Sequence, residues 1–211
     1  MTNQINILFI TSNNNKLNEA KNIMNSNIKN ININFESYSI DLPEIQDEIQ
    51  EISREKCAHA VRHLLNEKEL YNKYKNYYVI TEDVSLSLNG LNGLPGPYIK
   101  WFINKLGVNG IYKMLSGFDD KMASAYCCVS YSPMLSSLQN IRDVKQHIGI
   151  VIGMKNGKIV EPRCGKYKSF GWDSIFQPLD HDKTYAEMEK EYKNKISHRY
   201  DAFERLSNII N

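Results

Sequence analysis

FITSNNNKLNEA, residues 9–20, passes from an apolar run through a polar loop into a helical pattern, and this change of period decides the fold class. The chain before it, INILFI at 5–10, has the β-branched and apolar density of a buried strand. After it Leu17, Ala20, Ile23 and Met24 recur at helical spacing. A strand that feeds a helix through a tight loop aims the helix's free N–H groups at one point, which favours an anion. Ser12, Asn13, Asn14 and Asn15 would add donors there, and Lys16 a point charge. The same SNNNK run also makes an ordinary turn and helix cap.

Working outward, ININFESYSI (31–40) predicts a strand and DLPEIQDEIQE (41–51) an acidic loop. Ser53 is placed to cap a helix through REKCAHAVRHLL, with Cys57, Ala60, Val61, Leu64 and Leu65 on one face. NEKELYNKYKN (66–76) reads as a charged surface extension. YYVIT then forms a strand that delivers Glu82 and Asp83 at its exit, where open α/β sheets place ligands. NGLNGLPGP (89–97) is a shaped loop before the aromatic-rich helix YIKWFINKL, and IYKMLSGF predicts a further short helix. MASAYCCVSYS is a strand. VKQHIGIVIGMKNGKIVE carries a hairpin signal at Asn156-Gly157, and GWDSIFQP supplies a turn and a short strand. Thr184 and Glu187 fit a capping box, and Ser197 caps a last helix with Phe203, Leu206 and Ile210 facing inward. The whole reads as α/β with a mixed sheet.

With 211 residues and 42% hydrophobic composition, the chain can bury a core as one domain, or as two lobes sharing a sheet. A formal charge of +2 provides no global field for nucleic acid. Cys57, Cys127, Cys128 and Cys164 lack paired CxxC spacing and read as buried thiols of a reducing compartment. No leader-like segment and no bilayer-length apolar run is present, so a soluble cytoplasmic protein without membrane partners is expected.

The chemistry-bearing residues fall into two sets. Asp83, beside Glu82 on an apolar strand, is costly to bury unpaired; Mg²⁺ and a triphosphate would offset that cost, as would a salt bridge. Glu44 lies among Asp41, Asp47, Glu48 and Glu51 and is either a metal ligand or part of a solvated acidic turn. Asp173 follows Phe170, Gly171 and Trp172, aromatic residues suited to base stacking or to the core. Lys16, Lys56, Lys100, Lys193 and Arg199 each sit near a cap or shaped loop, where they would neutralise a triphosphate or face solvent. Ser197, His198 and Arg199 open the last helix. The chain contains no nucleophile elbow, phosphate-binding GxxxxGK[ST] loop, HExxH pair or GxGxxG fingerprint.

The ordered series TSNNNK, DLPE, EISREK, TED, GLPGPYIKWF, FGWD, TYAEM and SHR resembles the inosine triphosphate pyrophosphatase family, also called the non-canonical purine nucleoside triphosphatase family. The resemblance runs from residue 9 to about residue 205. It implies one domain over 1–211, with a surface insertion near 66–76, and an elongated mixed sheet flanked by helices. Two lobes would hold the nucleotide in a cleft between them. It further implies hydrolysis of ITP, dITP and XTP to the monophosphate and pyrophosphate, with Mg²⁺ or substitute Mn²⁺, in a homodimer.

Residue by residue, Thr11, Ser12, Asn13, Asn14, Asn15 and Lys16 resemble the triphosphate loop, and Lys56 and Lys100 further substrate contacts. Glu44 and Asp83 resemble the metal carboxylates, with Asp83 and Lys16 as the catalytic pair. Phe170, Gly171, Trp172 and Asp173 resemble the base pocket, and Lys193, Ser197, His198 and Arg199 the remaining contacts. Two departures stand out. Ser12 replaces a common glycine, which predicts tighter or displaced phosphate binding, and Val84 removes a common hydroxyl. Other classes the sequence allows are a triphosphate-binding regulator without turnover, a single-stranded nucleic-acid binder and a pyrophosphatase for modified pyrimidines.

Overall fold

The computed structural model describes residues 4–27, 32–134, 143–165 and 170–210. Strand β1 (Gln4–Ile10) ends on four consecutive buried residues, Ile7 to Ile10, so both of its faces are covered and it lies inside a sheet. Strands β2 (Asn32–Tyr38) and β3 (Tyr78–Leu88) flank it, both parallel, with Ile7 opposite Phe35 on one side and Tyr78 on the other. Parallel neighbours require crossovers. These are α1 (Asn14–Asn27) between β1 and β2, and α2 (Ile49–Asn66) with α3 (Lys68–Tyr74) between β2 and β3.

The remaining strands are β4 (Pro95–Gly96), β5 (Met122–Pro133), β6 (Gly149–Ile159) and β7 (Phe176–Pro178). Their order is β2-β1-β3-β5-β6-β7, with β4 paired to β3. β4 is antiparallel to β3 and β7 antiparallel to β6, so the sheet is mixed, as the sequence predicts. Helices α4 (Ile99–Met114), α5 (Lys190–Ile196) and α6 (His198–Ile210) complete the chain. No helix among the described residues is long and apolar enough to cross a membrane.

The chain divides into two compact units: 1–83 with 128–152 and 202–211, and 84–127 with 153–201. In the first, Leu8 and Ile10 pack with Cys57, Ala58, Ala60, Val61 and Leu64 of α2, whose small side chains permit close approach. Phe9, on the opposite face, meets Phe203 edge-on at 6.2 Å. In the second, Leu86, Leu88, Ala123, Ala125, Ile159, Ile175 and Phe176 form the core with Ile99, Ile111 and Leu115.

Four local readings are corrected. β3 runs unbroken to Leu88, so Glu82 and Asp83 lie within it, because the alternation in VSLSL continues the pleat and pairs with β4. Asn156-Gly157 is no turn: β6 continues through it. Gly157 lies opposite Pro178, and a Cβ on it would sit 2.5 Å from the Gln177 carbonyl oxygen and 2.6 Å from the Phe176 ring. Ser53 lies inside α2, which starts at Ile49, and its hydroxyl is used across the core. Cys164 is exposed, while the other three thiols are buried.

The capping box is present. The Thr184 amide donates to Glu187 at 2.8 Å, ahead of a single 3₁₀ turn at Tyr185–Glu187. That bond holds the Glu187 carboxyl below its ordinary pKa, with the Thr184 hydroxyl and Arg163 adding to it against partial burial. A depressed carboxylate pKa stabilises the fold above the ordinary value, and the gain is lost as pH falls through the folded-state value. Glu187→Gln is therefore expected to cost about 1 kcal/mol at neutral pH. In urea titrations the gap to the unsubstituted protein should close on acidification through the carboxylate range; a gap independent of pH would contradict this assignment.

Candidate functional site

Successive side chains of a strand leave opposite faces, and β3 uses this to send adjacent carboxylates to different helices. Asp83 meets α2: its Oδ1 accepts from the Lys56 ammonium at 2.6 Å. The same Nζ reaches Glu44 Oε2 at 2.9 Å, so one lysine joins the strand to the acidic segment before α2. Burial disfavours the Lys56 ammonium, but Asp83 and then Glu44 more than offset it, and its pKa lies above the ordinary lysine value. Glu82 meets α1, where Lys16 Nζ lies 3.5 Å from its fully buried carboxylate and donates to its backbone carbonyl at 3.0 Å.

The loop before α1 is internally capped. Thr11 Oγ1 accepts from the Asn13 amide at 3.1 Å, and Asn13 Oδ1 accepts from the amides of Asn15 at 3.0 Å and Lys16 at 3.2 Å. The sequence reading aimed those helix amides at an anion, but the Asn13 side chain occupies two of them. Ser12 is exposed and has no positive φ, so the backbone freedom of the family's glycine is not needed in this loop. Asn14 and Asn15 are exposed at the start of α1.

A metal has no all-protein cage here: no group of three or more His, Cys, Asp or Glu residues converges on one point among the described residues. One atom nevertheless asks for a partner. Asp83 Oδ2 is buried and makes no hydrogen bond, whereas Oδ1 is held by Lys56. A buried, unpartnered carboxylate oxygen is costly. With Glu44 half-exposed nearby on the same lysine, the donors fit Mg²⁺, which takes one or two carboxylates and completes its shell with water and phosphate oxygens.

The second unit holds the other set. Gly171 has φ +59, a left-handed conformation that turns the chain sharply between Phe170 and Trp172. Trp172 is buried, edge-on to Phe176 at 5.3 Å and tilted over His198 at 5.2 Å, so it belongs to the core. Phe170 is half-buried. Asp173 Oδ2 accepts from the Lys193 ammonium at 2.6 Å, and both residues are buried. Lys193 also lies 5.4 Å over the Tyr185 ring. Ser197 Oγ accepts from the Tyr200 amide at 3.1 Å, which caps α6, and Arg199 on its first turn is only 2% exposed. Lys100 is exposed at the start of α4, 5.5 Å over Trp101.

Sequence reasoning left Glu82 without a role, although a glutamate within an apolar strand signals a partner to be found. It also missed Tyr185, whose burial beneath Trp172 and His198 no local pattern gives.

The family model described as Ham1p-like, Ham1 family, matches residues 7–209. The inosine triphosphate pyrophosphatase of Schizosaccharomyces pombe is 37% identical over 204 residues, spanning 97% of this chain and 94% of that one. A HAM1 protein from Coxiella burnetii superposes with a TM-score of 0.75 at 25% identity, over 97% of this chain and 98% of that one. The Staphylococcus aureus Ham1 protein, at 23% identity, shares the fold with a TM-score of 0.69 over 97% of each chain.

Proposed function

The chain belongs to the Ham1 family, and from that membership we propose that it hydrolyses ITP, dITP and XTP to the nucleoside monophosphate and pyrophosphate, removing deaminated purines from the nucleotide pool. The observation that carries the chemistry is the divided environment of Asp83, with one oxygen on Lys56 and the other buried without a partner. In this reading Asp83 and Glu44 would hold Mg²⁺, or Mn²⁺ in its place. The metal would supply charge neutralisation on the phosphate oxygens.

The chain's own residues do the rest. Lys56 keeps Asp83 in one orientation, so that the carboxylate is fixed before a substrate arrives. Asp83 orients the attacking water and takes its proton. Lys16, tied to Glu82 and reached from the Thr11–Lys16 loop, offsets charge on the departing pyrophosphate, and Lys100 adds a further contact. Phe170 stacks on the base, while Gly171, Asp173, Lys193, Ser197 and His198 shape the pocket that receives it, with Trp172 packed in the core behind them. Arg199 donates to the 6-keto oxygen, a contact that adenine's amino group leaves unpaired. Arg199→Ala is accordingly expected to reduce the preference for inosine over adenine nucleotides at least about tenfold. An unchanged ratio of kcat/KM values would remove Arg199 from that role. The same reading takes the chain as a single domain and as a homodimer, the latter checked by light scattering.

The direct test mixes purified protein and Mg²⁺ with ITP, XTP, dITP, ATP and GTP and resolves the products by phosphorus NMR. Monophosphate and pyrophosphate from the first three, with little from ATP or GTP, is the expected result. Orthophosphate with a nucleoside diphosphate would mean terminal cleavage, and tight binding without turnover a regulator. Chelation should abolish turnover yet leave the melting temperature of the substrate-free protein within about 1 °C, because a site completed by substrate oxygens contributes little to the fold without substrate.

A further inference from the structure

Beneath Lys56 and Asp83 lie three hydroxyls that the mechanism above does not use. Thr81, two residues before Asp83 on β3, donates from Oγ1 to the Ser53 carbonyl at 3.3 Å. Ser53, three residues before Lys56 on α2, donates from Oγ to the Cys128 carbonyl of β5 at 3.3 Å. Ser130 Oγ, also on β5, donates to Ser53 Oγ at 2.9 Å. All three residues are buried.

The spacings give this chain of hydroxyls its meaning. Residues two apart on a strand share a face, and residues three apart on a helix share a side. Thr81 therefore stands under Asp83 and Ser53 under Lys56, and the bond between them fixes the height of α2 on β3 one step below the ion pair. Ser130 fixes the same helix position from the neighbouring strand. A core of Ala, Val and Leu would hold α2 by volume alone and leave it free to slide by fractions of an ångström; directional bonds remove that freedom.

We propose that Thr81, Ser53 and Ser130 are positioning residues that hold Lys56 Nζ against Asp83 Oδ1, keeping Asp83 aimed for the reaction. The inference rests on the proposed function for its catalytic consequence, but its geometric content stands apart from turnover. Small displacements of a reacting group reduce rate steeply while leaving substrate affinity nearly intact.

Thr81→Val removes the hydroxyl at nearly constant volume, and Thr81→Ser keeps it. Thr81→Val is expected to lower kcat for ITP about tenfold with KM within about twofold, and Thr81→Ser to restore it. Independently of activity, nitrogen-resolved NMR of the substrate-free protein should show a hydrogen-bonded Lys56 ammonium signal, assigned by its loss in Lys56→Arg. That signal should persist in Thr81→Ser and broaden away in Thr81→Val. A purely structural role would lower the melting temperature without moving either readout. An unchanged ammonium signal, or its loss with unchanged kcat, overturns the proposal. If Thr81→Val does not fold, the same two readouts on Ser130→Ala decide. Absence of turnover in the unsubstituted protein would defeat the proposed function, and the ammonium signal alone would then decide the positioning claim.

Discussion

Asp83→Asn is expected to reduce ITP turnover by about 10³-fold while leaving the protein folded. Asparagine keeps the shape and the carbonyl oxygen that can face Lys56, so β3 and α2 need not move. It loses the negative charge that would attract a cation and the basic oxygen that would take a proton from water. Oδ2 is the buried atom without a hydrogen-bond partner, so with Oδ1 kept as the carbonyl facing Lys56 the new amide takes that buried position. Nucleotide affinity should fall far less than kcat, since the lysines and the base-facing residues remain. Steady-state kinetics with Mg²⁺ in excess checks this. A loss of less than about tenfold would remove Asp83 from proton transfer and leave Lys16 as the stronger candidate.

The second large effect is on stability. Lys193 and Asp173 form a buried pair at 2.6 Å, joining α5 to the Phe170–Asp173 turn. Taking both charges out of water is expensive, and removing one partner leaves the other charge buried without its nearest counter-ion. Lys193→Met is thus expected to cost about 4 kcal/mol, a fall of about 12 °C in melting temperature for a chain of this size. Combining it with Asp173→Leu should recover most of the loss, because an apolar pair of similar volume escapes the desolvation penalty. Calorimetry of the single and double variants separates the two terms. A cost below about 1 kcal/mol for Lys193→Met would show that water reaches Asp173 once the lysine is gone. The double variant should in any case lose nucleotide affinity, as both residues belong to the proposed base site.

The first β-α unit was legible from its residues alone: INILFI became β1, and Leu17 to Met24 marked the helix after it. The mixed sheet, the capping box at Thr184 and Glu187, and the cap at Ser197 were equally plain. The failures share one cause. Asn156-Gly157 has the composition of a hairpin turn, yet its glycine serves the close approach of Phe176 and Gln177, which lie about twenty residues on. Ser53 has the chemistry of a cap, but its hydroxyl finds partners on β5, 75 and 77 residues away. For the aromatic pair before Asp173 the sequence left base stacking and the core as alternatives. Packing against Phe176 and His198 puts Trp172 in the core, which leaves Phe170 as the half-buried ring.

What the sequence determined by itself was everything set by short-range periodicity and by residue type: strand against helix, capping residues, the identity of the charged groups, and the ordered motifs that mark the family. What only the tertiary structure decided was which charges meet. Lys56 finds Asp83 across 27 residues and Lys16 finds Glu82 across 66, because the pleat of β3 turns its neighbouring carboxylates to opposite faces and a different helix covers each. Local pattern fixes the direction in which a side chain leaves the backbone. The partner waiting there is fixed by packing, and in this protein packing leaves Asp83 with one oxygen satisfied and one still seeking a ligand.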